Sequence, residues 1–171
     1  MLITTSRKPS QRTRSFCKSL NRVLKSEYTN RGKMSIRDVL LKSSESGFNK
    51  TAIISETKGN PSRIDFYDKK GDILISLDVT VSVPVSKGRV KKRDLAFRCE
   101  VDDLSNLGEK LVEILDIPKC RDDSKQENIL LLKKGNSEKK AVLKFYDSNG
   151  EDTGPRIYIL KTGDCKSGFV L

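Results

Sequence analysis

The sequence contains no histidine, and its four cysteines stand far apart, with no C-x-x-C pair among them. A zinc site needs clustered ligands, and histidine is the usual general base near neutral pH. We therefore expect no metal site, and hydrolase chemistry is disfavoured. Reduced and mostly buried thiols are the simplest interpretation of the cysteines. These are Cys17, Cys99, Cys120 and Cys165.

Long apolar runs and nucleotide-binding motifs are missing as well. No run approaches the ~20 apolar residues of a membrane-spanning helix. Arg7 and Lys8 interrupt the N-terminus before the apolar core of a signal peptide could form. Neither G-x-x-x-x-G-K-[ST] nor G-x-G-x-x-G occurs, so a nucleotide-binding enzyme has no support. We expect a soluble intracellular protein that has no cofactor, no small-molecule substrate and no membrane association.

Positive charge is what the sequence has in excess. Its 171 residues include 34 Lys and Arg against 23 Asp and Glu, which gives a formal net charge of +11. Only 35% of the residues are hydrophobic, so the surface must be very polar. A charge balance of this kind indicates partners rather than fold. The commonest polyanionic partner is nucleic acid, and an anionic membrane is the alternative.

The stretch 3–16 combines this charge with a predictable local structure. A β-prone segment at Ile3 breaks at Pro9, and apolar residues then recur at helical spacing from Phe16. This pattern predicts a strand, a turn and a helix. The N-terminus of a helix attracts anions through its free N–H groups and its dipole, so we predict phosphate contacts there. A solvated basic turn is the alternative. The predicted contacts are Ser6, Arg7, Lys8, Arg12 and Arg14.

Further elements are predicted along the rest of the chain. Ser35 is the expected N-cap of a second helix, and the period-two pattern from Ile73 predicts a long strand that ends near Pro84. Pro61 is expected to stop a strand at the turn 58–61. A third helix, 103–115, is expected to be capped by Asp102 or Asp103. Shorter strands are predicted at 52–56, 63–67, 95–100, 129–133, 141–146 and 156–161.

A weak internal repeat divides the chain. Phe66-Tyr67-Asp68-Lys69-Lys70-Gly71 is echoed by Phe145-Tyr146-Asp147-Ser148-Asn149-Gly150, and both flanking regions combine strands with an amphipathic helix. We therefore predict an α+β fold with α/β-type layers, in which two related halves, 1–86 and 94–171, form one domain of 171 residues. Each half is expected to be a mainly antiparallel sheet packed with helices, joined to the other by a basic linker, 87–93.

Other basic residues extend the predicted nucleic-acid surface, because turns beside helix and strand ends let them converge without disturbing a core. In the first half these are Arg31, Lys33 and Lys58. The linker is either a solvated connection or a loop that follows phosphates, and the composition favours neither. Its basic residues are Lys87, Arg89, Lys91, Lys92 and Arg93.

Two alternatives to RNA binding remain open. Glu56, Asp65, Asp68 and Asp72 could be drawn as the metal site of a nuclease, but their spacing matches no known constellation and the last two already suit a hairpin. The basic surface could also dock an acidic protein partner. RNase-insensitive binding would distinguish such a docking scaffold from an RNA-binding protein.

Residues 3–16 closely resemble the opening signature of Brix-domain proteins, a family of ribosome biogenesis factors. The matching runs are Ile3-Thr4-Thr5-Ser6-Arg7-Lys8-Pro9-Ser10 and Arg12-Thr13-Arg14-Ser15-Phe16. The most similar branch is the U3 small nucleolar ribonucleoprotein subunit with its archaeal relatives. Later family motifs are similar to Asn30-Arg31-Gly32, Glu56-Thr57-Lys58-Gly59-Asn60-Pro61 and Gly154-Pro155-Arg156.

The resemblance implies two similar halves, each like the anticodon-binding domain of class IIa aminoacyl-tRNA synthetases. It implies no catalysis, but binding of ribosomal RNA or its precursor during rRNA processing, through basic residues of the first half, with other assembly factors as further partners. Because the sequence ends at Leu171 without a long tail, an archaeal and hence cytoplasmic member is favoured. A eukaryotic member would be nucleolar.

Overall fold

The computed structural model describes residues 1–84, 88–120, 128–136 and 138–163. In this part of the chain three α-helices pack on one mixed sheet of nine strands. None of the described helices is long and apolar enough to cross a membrane. The elements in chain order are β1 (Leu2–Thr5), α1 (Gln11–Val23), β2 (Glu27–Tyr28), α2 (Ile36–Glu45), β3 (Lys50–Thr57), β4 (Asn60–Asp68), β5 (Ile73–Ser82), β6 (Leu95–Cys99), α3 (Ser105–Leu115), β7 (Asn128–Lys134), β8 (Ala141–Tyr146) and β9 (Arg156–Gly163).

The strands lie in the order β2-β1-β3-β4-β5-β9-β8-β7-β6. β1 runs parallel to β2 and β3, and β6 runs parallel to β7, whereas the other neighbours are antiparallel. The mainly antiparallel character predicted from the sequence is therefore found. The expectation of a separate sheet in each half is wrong, because β5 pairs with β4 along one edge and with β9 along the other, which joins the strands of both halves in one sheet.

Both halves share one hydrophobic core on one face of this sheet. Phe16 and Leu20 of α1, Leu111 of α3, and Phe66 and Phe145 of the strands belong to the same cluster of buried side chains. These positions repeat every three or four residues in the helices and every second residue in the strands, as amphipathic elements require. The core therefore spans the junction at which β5 meets β9.

α2 packs on the opposite face of the sheet, against β3. As predicted, Ser35 caps this helix, and it forms a capping box with Asp38 in which each side chain bonds to the other residue's backbone N–H. The Thr51 hydroxyl on β3 donates to Ser43 Oγ over 2.8 Å. Since Thr51 and Ala52 point to opposite faces of a strand, and Ala52 belongs to the core shared with α1, the two helices cover different faces.

Local structure departs from the prediction at two turns. Pro61 lies inside β4 rather than before it. The register between the two strands shifts there, because Ser55 pairs with Arg63 and Glu56 with Pro61, which leaves Ser62 of β4 as an extra residue. Neither Asp102 nor Asp103 caps α3, because both belong to a 3₁₀ turn, Asp102–Leu104, that continues directly into the helix. The N-cap residue is Leu104, whose side chain makes no capping hydrogen bond.

Among the cysteines, Cys17 lies on the inner side of α1 and is fully buried in the core, and burial raises the pKa of its thiol to about 12. Cys99 and Cys120 are half-buried, and Cys165 lies outside the described residues. Among the three cysteines that the structure describes, the expectation of buried thiols thus holds fully for Cys17 alone.

Candidate nucleic-acid interface

The predicted anion site at the start of α1 has a well-defined backbone. The Ser6 N–H donates to the Ile54 carbonyl over 2.7 Å, which extends the β1–β3 ladder up to the turn. Ser10 is the N-cap, and its Oγ accepts a hydrogen bond from the Thr13 N–H over 3.2 Å. The turn 6–9 is therefore held between a strand and a capped helix, with the side chains of Arg7 and Lys8 exposed.

A carboxylate of the chain itself occupies this helix terminus. The Ser10 N–H donates to Glu56 Oε2 over 2.9 Å, and Ser10 Oγ lies 2.8 Å from the same oxygen. Hydrogen bonds from the Thr13 hydroxyl and from Ser10 hold the pKa of Glu56 below its usual range. The N–H of the capping residue of α1 thus already has an anionic partner within the chain, and the phosphate contacts predicted for the exposed basic side chains stay a prediction.

This contact also gives Glu56 a structural role in place of the metal-binding one considered from the sequence. In the described part of the chain, no three His, Cys, Asp or Glu side chains lie close enough to hold a metal ion. Asp65 accepts a hydrogen bond from Arg63 over 2.8 Å, and Asp68 accepts bonds from the backbone of the β4–β5 hairpin. These carboxylates therefore already accept hydrogen bonds from other groups of the chain.

The basic side chains of α1 lie on two sides of the helix. Arg12 and Arg14 flank the buried Thr13 and are about 200° apart around the axis. Arg12 lies on the same side of the helix as Ser19, seven residues later. Arg14 lies on the side of Tyr28: burial raises the pKa of Tyr28, and the charge of Arg14 opposes this rise. The four predicted basic residues of 7–14 are all exposed, but they do not form one face.

Lys18 and Arg22, which the prediction did not include, lie on the same side of α1 as Arg14. Lys18 and Arg22 follow at four-residue spacing and are exposed, so the three form a basic stripe about 12 Å long on the outer side of α1. No acidic residue occurs before Glu27. The i, i+4, i+8 spacing opposite the apolar positions was the signal that could have identified this stripe from the sequence.

The other predicted first-half residues have different environments. Arg31 is only 8% exposed, and its Nε donates to the Met34 carbonyl over 3.1 Å. Desolvation, and to a smaller extent the charge of Arg7, lowers the pKa of Arg31. Arg31 therefore supports the turn before α2, which corrects its expected place on the exposed surface. Lys33 is exposed in that turn.

Lys58 is exposed at the tip of the β3–β4 hairpin, in the left-handed region with φ 51°. The carbonyl of the adjacent Gly59 lies 2.9 Å from Ser10 Oγ. This hairpin therefore brings Lys58 to the same end of α1 as Arg7 and Lys8, although fifty residues of chain separate them.

The linker is anchored to the second half rather than solvated along its length. Val90 is buried in the shared core, and the Lys91 N–H donates to Asn128 Oδ1 over 3.0 Å. A Cβ at Gly88 would collide with the side chain of Thr153, so only glycine fits this approach. Lys87 lies outside the described residues. Arg89, Lys91 and Arg93 are exposed and Lys92 is half-buried.

Arg89 and Lys92 line a groove whose other wall is the C-terminal half of α1, including Arg22. The structure therefore brings two of the linker's basic residues to the end of the basic stripe. Along the sequence, too, positive charge is concentrated in the first half and the linker. Residues 1–93 contain 21 Lys and Arg against 8 Asp and Glu, whereas residues 94–171 contain 13 against 15.

Comparisons with known proteins identify archaeal relatives. A Brix domain-containing ribosomal biogenesis protein from Methanothermobacter thermautotrophicus is 55% identical over 71 residues, which are 42% of this chain and 43% of that protein. One from Methanococcoides burtonii is 37% identical over 128 residues, 73% of this chain and 79% of the relative. The match to the Methanosarcina barkeri relative spans 49% of its length, so the similarity to some relatives is confined to about half of them. No model of a protein family matches the chain.

Solved structures share the fold over nearly the whole chain. The crystal structure of Mil, an archaeal Imp4-like protein, matches with a TM-score of 0.77 and 30% identity, covering 96% of this chain and 100% of Mil. A ribosomal biogenesis protein from Aeropyrum pernix has the same fold, with a TM-score of 0.77 at 22% identity. Because the Methanococcoides match extends over most of both proteins, the chain belongs to the family of Brix domain-containing ribosomal biogenesis proteins.

Proposed function

We propose that this protein is a non-enzymatic ribosome assembly factor that binds ribosomal RNA or its precursor in the cytoplasm and acts in rRNA processing. The observation that carries the proposal is the basic stripe of Arg14, Lys18 and Arg22, which lies on a helix without acidic residues. The names of the archaeal relatives support the assembly role. Other assembly factors are the further partners of a protein with this role.

Phosphate neutralisation supplies most of the binding free energy in this proposal. Each Lys or Arg that pairs with a phosphate releases counterions, so affinity falls as salt rises. The surface begins with Arg7, Lys8 and Lys58 at one end of α1, continues along the basic stripe, and reaches the linker. Unpaired bases of loops and single strands supply the selectivity, as is usual for RNA.

We also propose that residues 1–86 and 94–171 are two copies of one unit within the domain, each like the anticodon-binding domain of class IIa aminoacyl-tRNA synthetases. The order of pairings supports this. β1, β3, β4 and β5 are joined by a parallel pairing and then two antiparallel ones, and β6, β7, β8 and β9 follow the same order.

The test of RNA binding uses two variants with equal loss of charge. Arg14→Ala/Lys18→Ala removes two members of the basic stripe. Lys69→Ala/Lys70→Ala removes two exposed lysines from the β4–β5 hairpin, at the opposite end of β4 from the start of α1 and about 27 Å away along the strand. Fluorescence anisotropy with a labelled single-stranded fragment of archaeal rRNA measures the affinity at several salt concentrations.

We expect the stripe variant to bind about tenfold more weakly and to reduce the slope of log affinity against log salt by about 1.4, the value for two phosphates of a single strand. The hairpin variant is expected to change the affinity less than about threefold. Equal effects of the two variants would mean that binding follows net charge alone, and absence of RNA binding by the unmodified protein would refute the proposal.

An acidic protein partner is the second candidate function, favoured by the same excess of positive charge. Pull-down from an archaeal lysate with and without RNase separates the two. Partners that are retained after RNase treatment and lost in the stripe variant would favour the docking scaffold.

A further inference from the structure

A groove of about 840 Å³ separates the C-terminal half of α1 from the segment that follows β5. Ser19 and Arg22 line one side, Arg89 and Lys92 line the other, and Pro155 of the β8–β9 connection contributes to its surface. The groove is therefore built from three distant parts of the chain, at the boundary between the two halves.

The lining of this groove combines positive charge with apolar surface. It includes three cations, Arg22, Arg89 and Lys92, and no carboxylate among the described lining residues. Val83, which is 42% exposed, provides apolar surface, and Arg22 and Arg89 are exposed as well. This arrangement suits a ligand with regularly spaced negative charges and less polar groups between them.

The wall that carries the linker cations is preformed. The close approach of Gly88 to Thr153, the burial of Val90 and the bond from Lys91 to Asn128 fix this segment on both sides of Arg89. A fixed wall does not have to be ordered when a ligand binds, so less conformational entropy is lost.

We propose that this groove holds a single-stranded segment of RNA, with Arg22, Arg89 and Lys92 contacting its phosphates. The proposal rests on the RNA-binding function proposed above and specifies the form of RNA that is bound. A volume of 840 Å³ is in the range of small-ligand pockets, which admits a few nucleotides of one strand but not a duplex. No aromatic residue is among its described lining residues, so backbone contacts rather than base stacking hold the strand there, and the groove itself adds little to the sequence selectivity.

Continuity with the basic stripe favours RNA over an acidic peptide as the occupant. Arg22 belongs to both the stripe and the groove, and Arg12 lies on the same side of α1 as Ser19. A strand bound along α1 can therefore continue into the groove without leaving the positive surface. The groove extends the interface from the first half to the second.

The test compares the groove variant Arg89→Ala/Lys92→Ala with the hairpin variant Lys69→Ala/Lys70→Ala, which loses the same charge. The probes are a labelled single-stranded RNA of about 12 nucleotides and a blunt duplex of the same length. We expect the groove variant to lose about tenfold in affinity for the single strand and less than about threefold for the duplex. The hairpin variant is expected to change either affinity less than about threefold.

The possible outcomes separate this proposal from the broader one. If the groove variant binds the single strand like the hairpin variant, while Arg14→Ala/Lys18→Ala still weakens binding, the groove proposal fails and RNA binding stands. Equal losses for single strand and duplex would also overturn it. If the unmodified protein binds neither RNA, RNA binding itself fails.

Two further measurements address the identity of the occupant. A peptide of glutamates tests the acidic-peptide alternative: loss of its binding in the groove variant, with unchanged RNA binding, overturns the proposal. Photocrosslinking of the single strand through 4-thiouridine, followed by mass spectrometry, should place crosslinks within residues 19–23 and 88–92. Crosslinks confined to other segments would contradict it.

Discussion

The amide N–H of Ser10 donates to the carboxylate of Glu56 over 2.9 Å, and this bond joins the start of α1 to the end of β3, where the pairing of β3 with β4 shifts register. The dipole of α1 is therefore complemented within the chain. The basic side chains around this terminus do not need a phosphate to compensate for their position. They remain available along the flanks of the helix, where Arg14 begins the basic stripe.

Replacing Ser10 with alanine should destabilise the protein by about 1 kcal/mol, because α1 loses its N-cap. Urea unfolding at neutral pH measures the change. Ser15→Ala, at an exposed position of the same helix, is the matched control and should change the free energy of unfolding by less than about 0.5 kcal/mol. Equal destabilisation by the two substitutions would show that the cap has no special contribution.

The contribution of Glu56 to stability should depend on pH. Its pKa is lower in the folded protein than the ordinary value of 4.5, so its ionised form stabilises the fold above that pH, and the stabilisation is lost as pH falls through the folded-state pKa. Glu56→Gln should therefore destabilise the protein at about pH 7, and the difference from the unmodified protein should shrink in acid. A difference in urea midpoint that stays constant down to about pH 3 would contradict this explanation.

Arg31 should be required for stability more than for RNA contact. Arg31→Ala removes a partly buried hydrogen bond to the Met34 carbonyl, and we expect a loss of about 1–3 kcal/mol in the free energy of unfolding. Lys33→Ala, two residues away and exposed, is the control and should leave stability unchanged. An Arg31→Ala variant with unchanged stability and a reduced salt slope for RNA binding would reverse the assignment.

Cys17 should be unreactive until the protein unfolds. Its thiol is 0% exposed and its pKa is raised to about 12 by burial, so almost no thiolate forms near neutral pH. Labelling with a maleimide, followed by peptide mapping, should detect modification of the half-buried Cys99 before that of Cys17. Labelling of both at the same rate without denaturant would indicate that α1 opens readily from the sheet.

Local features were predictable because their causes are local. The capping box joins Ser35 and Asp38, which are three positions apart, and the alternation that begins at Ile73 directly predicts β5. The stripe of Arg14, Lys18 and Arg22 was equally accessible, since helical spacing alone defines it.

Long-range contacts could not be read in the same way. The bond between Ser10 and Glu56 joins residues 46 apart, and it exists only because the β3–β4 hairpin turns beside α1. The groove combines three segments of the chain, and the burial of Arg31 depends on the turn that surrounds it. Pairing of β5 with β9 likewise follows from the joining of two halves, which no local pattern specifies.

That central pairing has a consequence for synthesis on the ribosome. β5 leaves the exit tunnel well before β9, and at roughly 5–20 residues per second the intervening segment takes on the order of ten seconds to translate. During this time the outer edge of β5, with Ile75, Leu77 and Val79 on one side, has no neighbouring strand to cover it. The nascent first half is therefore most susceptible to aggregation late in translation, and a message truncated before β9 would yield a product that chaperones must retain or proteases remove.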